Sequence, residues 1–140
     1  MNSRLTVCTA LVALLSSIPA ARAQDCAQVE VRNLRPEQGM LMLAAYIDAA
    51  SFRKTAVVEM RLRPAAAETM TLQVCGLGGN AVAFTLFQDL NNNGKLDSNP
   101  FGIPIEPWGS SGKSSAMSAP TWESAQVPLD GSPIVVKLSQ

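Results

Sequence analysis

The chain contains no histidine. That absence removes the Ser-His-Asp and Cys-His nucleophilic systems, and with them the usual histidine-bearing zinc sites. A charge excess is missing too, since eleven basic side chains face eleven acidic ones. Such balance leaves no electrostatic footprint for nucleic acid or an anionic membrane surface. There is no C-x-x-C pair, no internal repeat, no interdomain linker and no convincing long helical pattern. No apolar run reaches the roughly 20 residues that a membrane-spanning helix requires.

Motifs that suggest catalysis lack their companions. Ser110-Ser111-Gly112-Lys113 has the S-x-x-K spacing but no S-D-N or K-T-G element. Gly109–Ser114 has two residues between its glycines where a phosphate loop needs four. Asp89, Asp97 and Glu106 offer carboxylates, but a glycosidase needs two of them about 5–10 Å apart across a sugar cleft. One small domain with a single long loop offers little cleft, and no enzyme is expected.

What is present begins with a leader. Arg4 precedes an apolar stretch from Leu5 to Leu15, and Ala21-Arg22-Ala23 completes an A-x-A exit before Gln24. Residues 1–23 therefore read as a secretory signal peptide, and 24–140 as one exported domain, periplasmic or secreted. Without Arg4 and Arg22 the remaining 117 residues carry a net charge of −2. Two of the three cysteines, Cys26 and Cys75, survive cleavage. In an oxidising compartment they read as one disulfide, worth about 4 kcal/mol in the chain-entropy model. The rival is a pair of free thiols, which would lack a neighbouring histidine to activate either one.

Alternation of apolar and polar residues dominates the mature chain. It predicts strands at Gln28–Leu34, Met40–Ile47, Ala56–Arg63, Thr69–Cys75, Ala81–Gln88, Ser124–Leu129 and Ile134–Leu138. Met40–Ile47 is a continuous apolar run, as expected of a central strand covered on both faces. Asp48–Thr55 is a connection with one helical turn opening at Asp48. Gly76–Asn80 predicts a tight turn that makes Thr69–Cys75 and Ala81–Gln88 a hairpin. About seven short strands are satisfied by an all-β, two-sheet antiparallel β-sandwich, Ig-like or prealbumin-like, with a small closed barrel as runner-up. A long polar excursion from Asp89 to Thr121 interrupts the pattern, and its Ser110–Ser118 part reads as a flexible loop.

That excursion holds the most informative residues. Asp89, Asn91, Asn93 and Asp97 alternate oxygen-bearing side chains, with Gly94 after the third. This is the first half of the D-x-[DN]-x-[DN]-G calcium loop, in which a glycine turn aims oxygens at one cation. The Lys95 carbonyl would add a ligand, and Glu106 a further carboxylate. The twelfth position, where a bidentate glutamate belongs, is Pro100. Two readings stand: a weak calcium site with Kd of about 10⁻⁴ to 10⁻³ M, and a metal-free loop in which Asn93-Gly94 accepts left-handed backbone.

Gln88–Ser110 (QDLNNNGKLDSNPFGIPIEPWGS) resembles the bacterial domain-of-unknown-function family 2141. The resemblance rests on Asp89, Asn91, Asn93, Gly94, Lys95 and Asp97, then Gly102-Ile103-Pro104, Glu106 and Trp108-Gly109, and is echoed at Ala119–Glu123. Gln88 stands where the family usually has histidine, and Pro107 where it commonly has glycine. The resemblance implies the fold and export; the family has no established activity, so it implies no mechanism.

Trp108 and Trp122 are the only tryptophans. They either pack the long loop onto the sandwich or form a stacking platform for sugar or peptide. The expectation is thus a non-enzymatic interaction module with a protein or glycan partner, and the alternative a carbohydrate- or polymer-binding module of the cell envelope.

Overall fold

Eight strands and one helical turn make up the computed structural model, which describes residues 25–113 and 118–139. The expected leader and the middle of the Ser110–Ser118 stretch lie outside the described residues. The strands are β1 (Cys26–Arg32), β2 (Met40–Tyr46), β3 (Val58–Leu62), β4 (Thr69–Cys75), β5 (Ala81–Asp89), β6 (Trp108–Ser110), β7 (Val127–Pro128) and β8 (Ile134–Lys137). The helical turn α1 is Trp122–Ala125.

One sheet has three strands in the order β4-β1-β8, with β8 parallel to β1 and β4 antiparallel. The other runs β3-β2-β5-β6, with β7 also on β5. The two stack as a sandwich. Val29, Val31, Leu72, Val74, Ile134 and Val136 of the first sheet share one buried cluster with Leu41, Leu43, Val82, Phe84 and Leu86 of the second. At one corner the sheets are joined: Ser139 N–H donates to the Trp108 carbonyl, and Trp108 N–H donates to Ser139 Oγ.

Cys26 and Cys75 face each other at the end of the β1–β4 register and form the disulfide. β2 is central, as its apolar run predicts, but only Leu41, Leu43 and Ala45 point into the core. Met42 and Ala44 lie half-buried on the outer face. The connection after β2 turns at Ser51, whose N–H donates to Asp48 Oδ1 at 2.7 Å.

Three expectations need correction. β4 and β5 are not a hairpin: β4 pairs with β1, and β5 with β2. The Gly76–Asn80 segment crosses between sheets, because Leu77 is drawn into the core and its N–H donates to the Asp25 carbonyl. Ser124–Leu129 does not run as a strand. Thr121 and Ser124 cap each other's backbone N–H groups and start α1, so local capping overrides alternation and only Val127 and Pro128 pair with β5. Lastly, Asp89–Thr121 is not one open excursion, since β6 returns to pair with β5. Ser111 extends that pairing, its Oγ accepting from Phe84 N–H and donating to the Ala125 carbonyl.

Candidate functional site

β5 ends in two polar residues, Gln88 and Asp89, that are both fully buried. A buried polar group without a partner costs about 1–3 kcal/mol, and each has partners on a different side of the strand. Gln88 continues the core-facing row of Val82, Phe84 and Leu86. Its Nε2 donates to the carbonyls of Arg35 and Gln38, both at 2.7 Å, and its Oε1 accepts from Arg35 N–H. The side chain thereby ties down the turn between β1 and β2. Gly39 completes that turn with φ +58°, and a Cβ there would collide with the Asp89 carbonyl, so only glycine fits.

Asp89 faces the other way, under its own loop. Its Oδ1 accepts from Asn93 N–H at 3.1 Å and its Oδ2 from Gly94 N–H at 2.7 Å. The loop curls through positive φ at Asn92 and Gly94 (60° and 78°), not at the adjacent pair Asn93-Gly94. Asn91 Oδ1 takes Asn93 N–H, and Asn93 Oδ1 takes Lys95 N–H. Both amide nitrogens then converge on Asp97: Asn91 Nδ2 at 2.6 Å from Oδ2, Asn93 Nδ2 at 2.9 and 3.0 Å from the two oxygens.

Glu106 closes the loop from the far side. It is buried, and its two oxygens accept from the N–H groups of Leu90 and Asp97. It therefore holds backbone at the start and middle of the loop instead of joining Asp89 as a ligand. Among the described residues, no three His, Cys, Asp or Glu side chains stand close enough together to hold a metal ion. The residues expected to ligate calcium split accordingly: Asn91, Asn93 and Asp97 meet, Asp89 bonds backbone beneath them, and Lys95 lends its N–H to Asn93. For both asparagines to present oxygen to a cation at the Asp97 carboxylate, each would have to surrender or share the backbone N–H its oxygen now accepts.

The tryptophans occupy separate settings. Trp122 packs edge-on to Phe52, with ring centroids 6.1 Å apart, in a satellite cluster with Tyr46 and Ala83. Trp108 stands opposite Phe87 across β6 and β5, in a row that continues to Met42 and Arg61. An open groove of about 430 Å³ lies over the outer face of this sheet, lined by Met42, Ala44, Glu59, Arg61, Thr85 and Phe87, with neither tryptophan in its wall.

Gln88 and Glu106 organise the region, yet motif reasoning gave neither that role. The signal for Gln88 was available: an amide at a core-facing position of an alternating strand demands hydrogen-bond partners.

A family model described as "Uncharacterized protein conserved in bacteria (DUF2141)" matches residues 29–137. No curated protein and no solved structure matches the chain.

Proposed function

This protein belongs to the DUF2141 family of bacterial proteins, and we propose that it is an exported, non-enzymatic binding module that presents residues 89–106 as a rigid platform. One observation carries this reading. All three carboxylates of the region, Asp89, Asp97 and Glu106, accept hydrogen bonds from the loop's own N–H groups. Acids used this way brace a surface; a general acid or nucleophile must face its substrate. The disulfide supports export, because such cross-links persist in oxidising compartments, and the A-x-A exit supports a mature chain beginning at Gln24.

In this reading the loop holds itself without a metal. The convergence of Asn91 and Asn93 on Asp97 supports a second one, in which calcium replaces the two amide donors at that carboxylate. Thermal unfolding of the oxidised protein in EDTA and in about 5 mM calcium separates them, since that concentration exceeds the weak end of the expected range. Equal midpoints are expected. A rise of several degrees that disappears in Asp97→Ala assigns the loop to calcium instead.

The alternative of a glycan-binding module draws support from the outer-face groove, where Phe87 and Met42 lie beside Glu59 and Arg61. Retention on a glycan array that is lost in Phe87→Ala would favour it over the loop platform.

A further inference from the structure

Beyond Asp97 the chain projects a second, smaller loop. Ser98 and Pro104 bridge as a minimal antiparallel pair, and Phe101, Ile103 and Ile105 stand outward, 87%, 59% and 62% exposed. Such exposure is unusual in a chain that buries Leu41, Phe84 and Leu86 completely or almost so. The segment Ser98–Ile105 carries no charge.

Its backbone is equally distinctive. Pro100 and Pro104 have no N–H, and all five remaining N–H groups from Asn99 to Ile105 are bonded within the loop. Asn99 donates to the Ile103 carbonyl, Gly102 to the Asn99 carbonyl and Ile105 to the Asp97 carbonyl. Phe101 and Ile103 both donate to Asn99 Oδ1 at 3.0 Å. The tip is therefore apolar, uncharged and free of unpaired backbone donors.

We propose that this tip inserts into the interfacial region of a lipid bilayer, and that the partner of the platform is a membrane surface. Entering an apolar phase is penalised by stripping water from charges and unpaired backbone groups, and the tip carries no charge and no unpaired backbone N–H. A protein partner joining by strand addition would need free donors on an edge, and the tip has none to give. The mature net charge of −2 gives no general attraction to anionic lipid, so the apolar contact dominates.

The proposal deepens the binding-module reading and rests on it, but fails separately, because the unfolding experiment in calcium involves no lipid. The test is flotation of the oxidised, leader-free protein with phosphatidylcholine vesicles, and with vesicles containing phosphatidylglycerol, at low and high salt. Wild type is expected to float with both, with little loss at high salt. Phe101→Ser combined with Ile103→Ser is expected to reduce partitioning roughly tenfold or more, with the unfolding midpoint unchanged. Phe101→Trp is expected to add a blue-shifted emission component on vesicles. No flotation of wild type overturns the proposal, as does equal flotation of wild type and the double variant. Binding only to anionic vesicles that salt abolishes overturns it in favour of simple charge attraction, and retention by an envelope protein without vesicle binding overturns it in favour of a protein partner.

Discussion

Phe84 and Asp89 lie on the same strand and are both shut off from solvent, yet opposite means keep them there. Around Phe84 the two sheets meet through apolar contacts that have no direction: any side chain of suitable volume and shape contributes. Around Asp89 each contact joins one donor to one acceptor, and Asn93 and Gly94 find their acceptors on a single carboxylate. The interior is thus tolerant of identity and sensitive to volume, whereas the loop is sensitive to identity. Removing Asp89 Oδ2 leaves Gly94 N–H stranded instead of a contact weakened.

The largest effect that distinguishes the two regions is expected in the interior. Phe84→Ala removes a wholly buried ring and is expected to cost about 3–5 kcal/mol in denaturant unfolding, while Leu86→Met beside it costs less than about 1.5 kcal/mol. A near-isosteric change in the loop should not be so forgiving. Asp89→Asn keeps the shape but replaces one acceptor with a donor facing a donor, and a loss of about 2–3 kcal/mol is expected in the same assay. If Asp89→Asn proves as mild as Leu86→Met, the distinction between the regions is broken.

Gln88 sits at the junction of the two, on the apolar face with polar duties. Gln88→Leu suits the core but strands Arg35 N–H, with an expected cost of about 1–2 kcal/mol. Amide exchange should accelerate at Arg35 more than in the strands. Uniform acceleration throughout the chain would show that the residue acts as core and not as a tie.

The smallest effect sharpens the comparison by moving the same bond into water. Asp48 accepts Ser51 N–H at 2.7 Å, the distance at which Asp89 accepts Gly94 N–H, but on the exposed surface. The backbone N–H of Ser51, and then its hydroxyl, hold the Asp48 carboxyl below its ordinary pKa. A depressed folded pKa stabilises the fold at pH above the unfolded carboxylate's value, and that stabilisation fades as pH falls through the folded one. Asp48→Asn is therefore expected to lower the unfolding midpoint slightly at neutral pH, with the gap closing as the pH drops through the carboxylate range.

The same contrast explains what was legible in the sequence. The strands were readable because volume and alternation suffice to place Val29, Leu43, Leu72 or Val136, whatever their exact identities. The loop was readable as a motif because identity matters there, from Asp89 to Asp97. Pairing was not readable where a single residue decided the path. Leu77 carries the chain from one sheet to the other, and Thr121 with Ser124 converts an expected strand into a turn of helix. Glu106 lies sixteen residues from the Leu90 N–H it serves, so its role belongs to the folded loop and not to any local spacing.

The parallel pairing of β1 with β8 has a consequence for the order in which the chain can fold. Asn33 Nδ2 reaches the Leu138 carbonyl 105 residues onward, and β1 has its second neighbour only when Ile134–Lys137 arrives beside it. Contacts so distant along the chain are slow to form, because a large loop must close before they stabilise anything. While it is being synthesised, the chain has a three-stranded sheet that is missing its last strand. Strand order alone thus builds a delay into folding, because the first sheet is completed only by the chain's last strand.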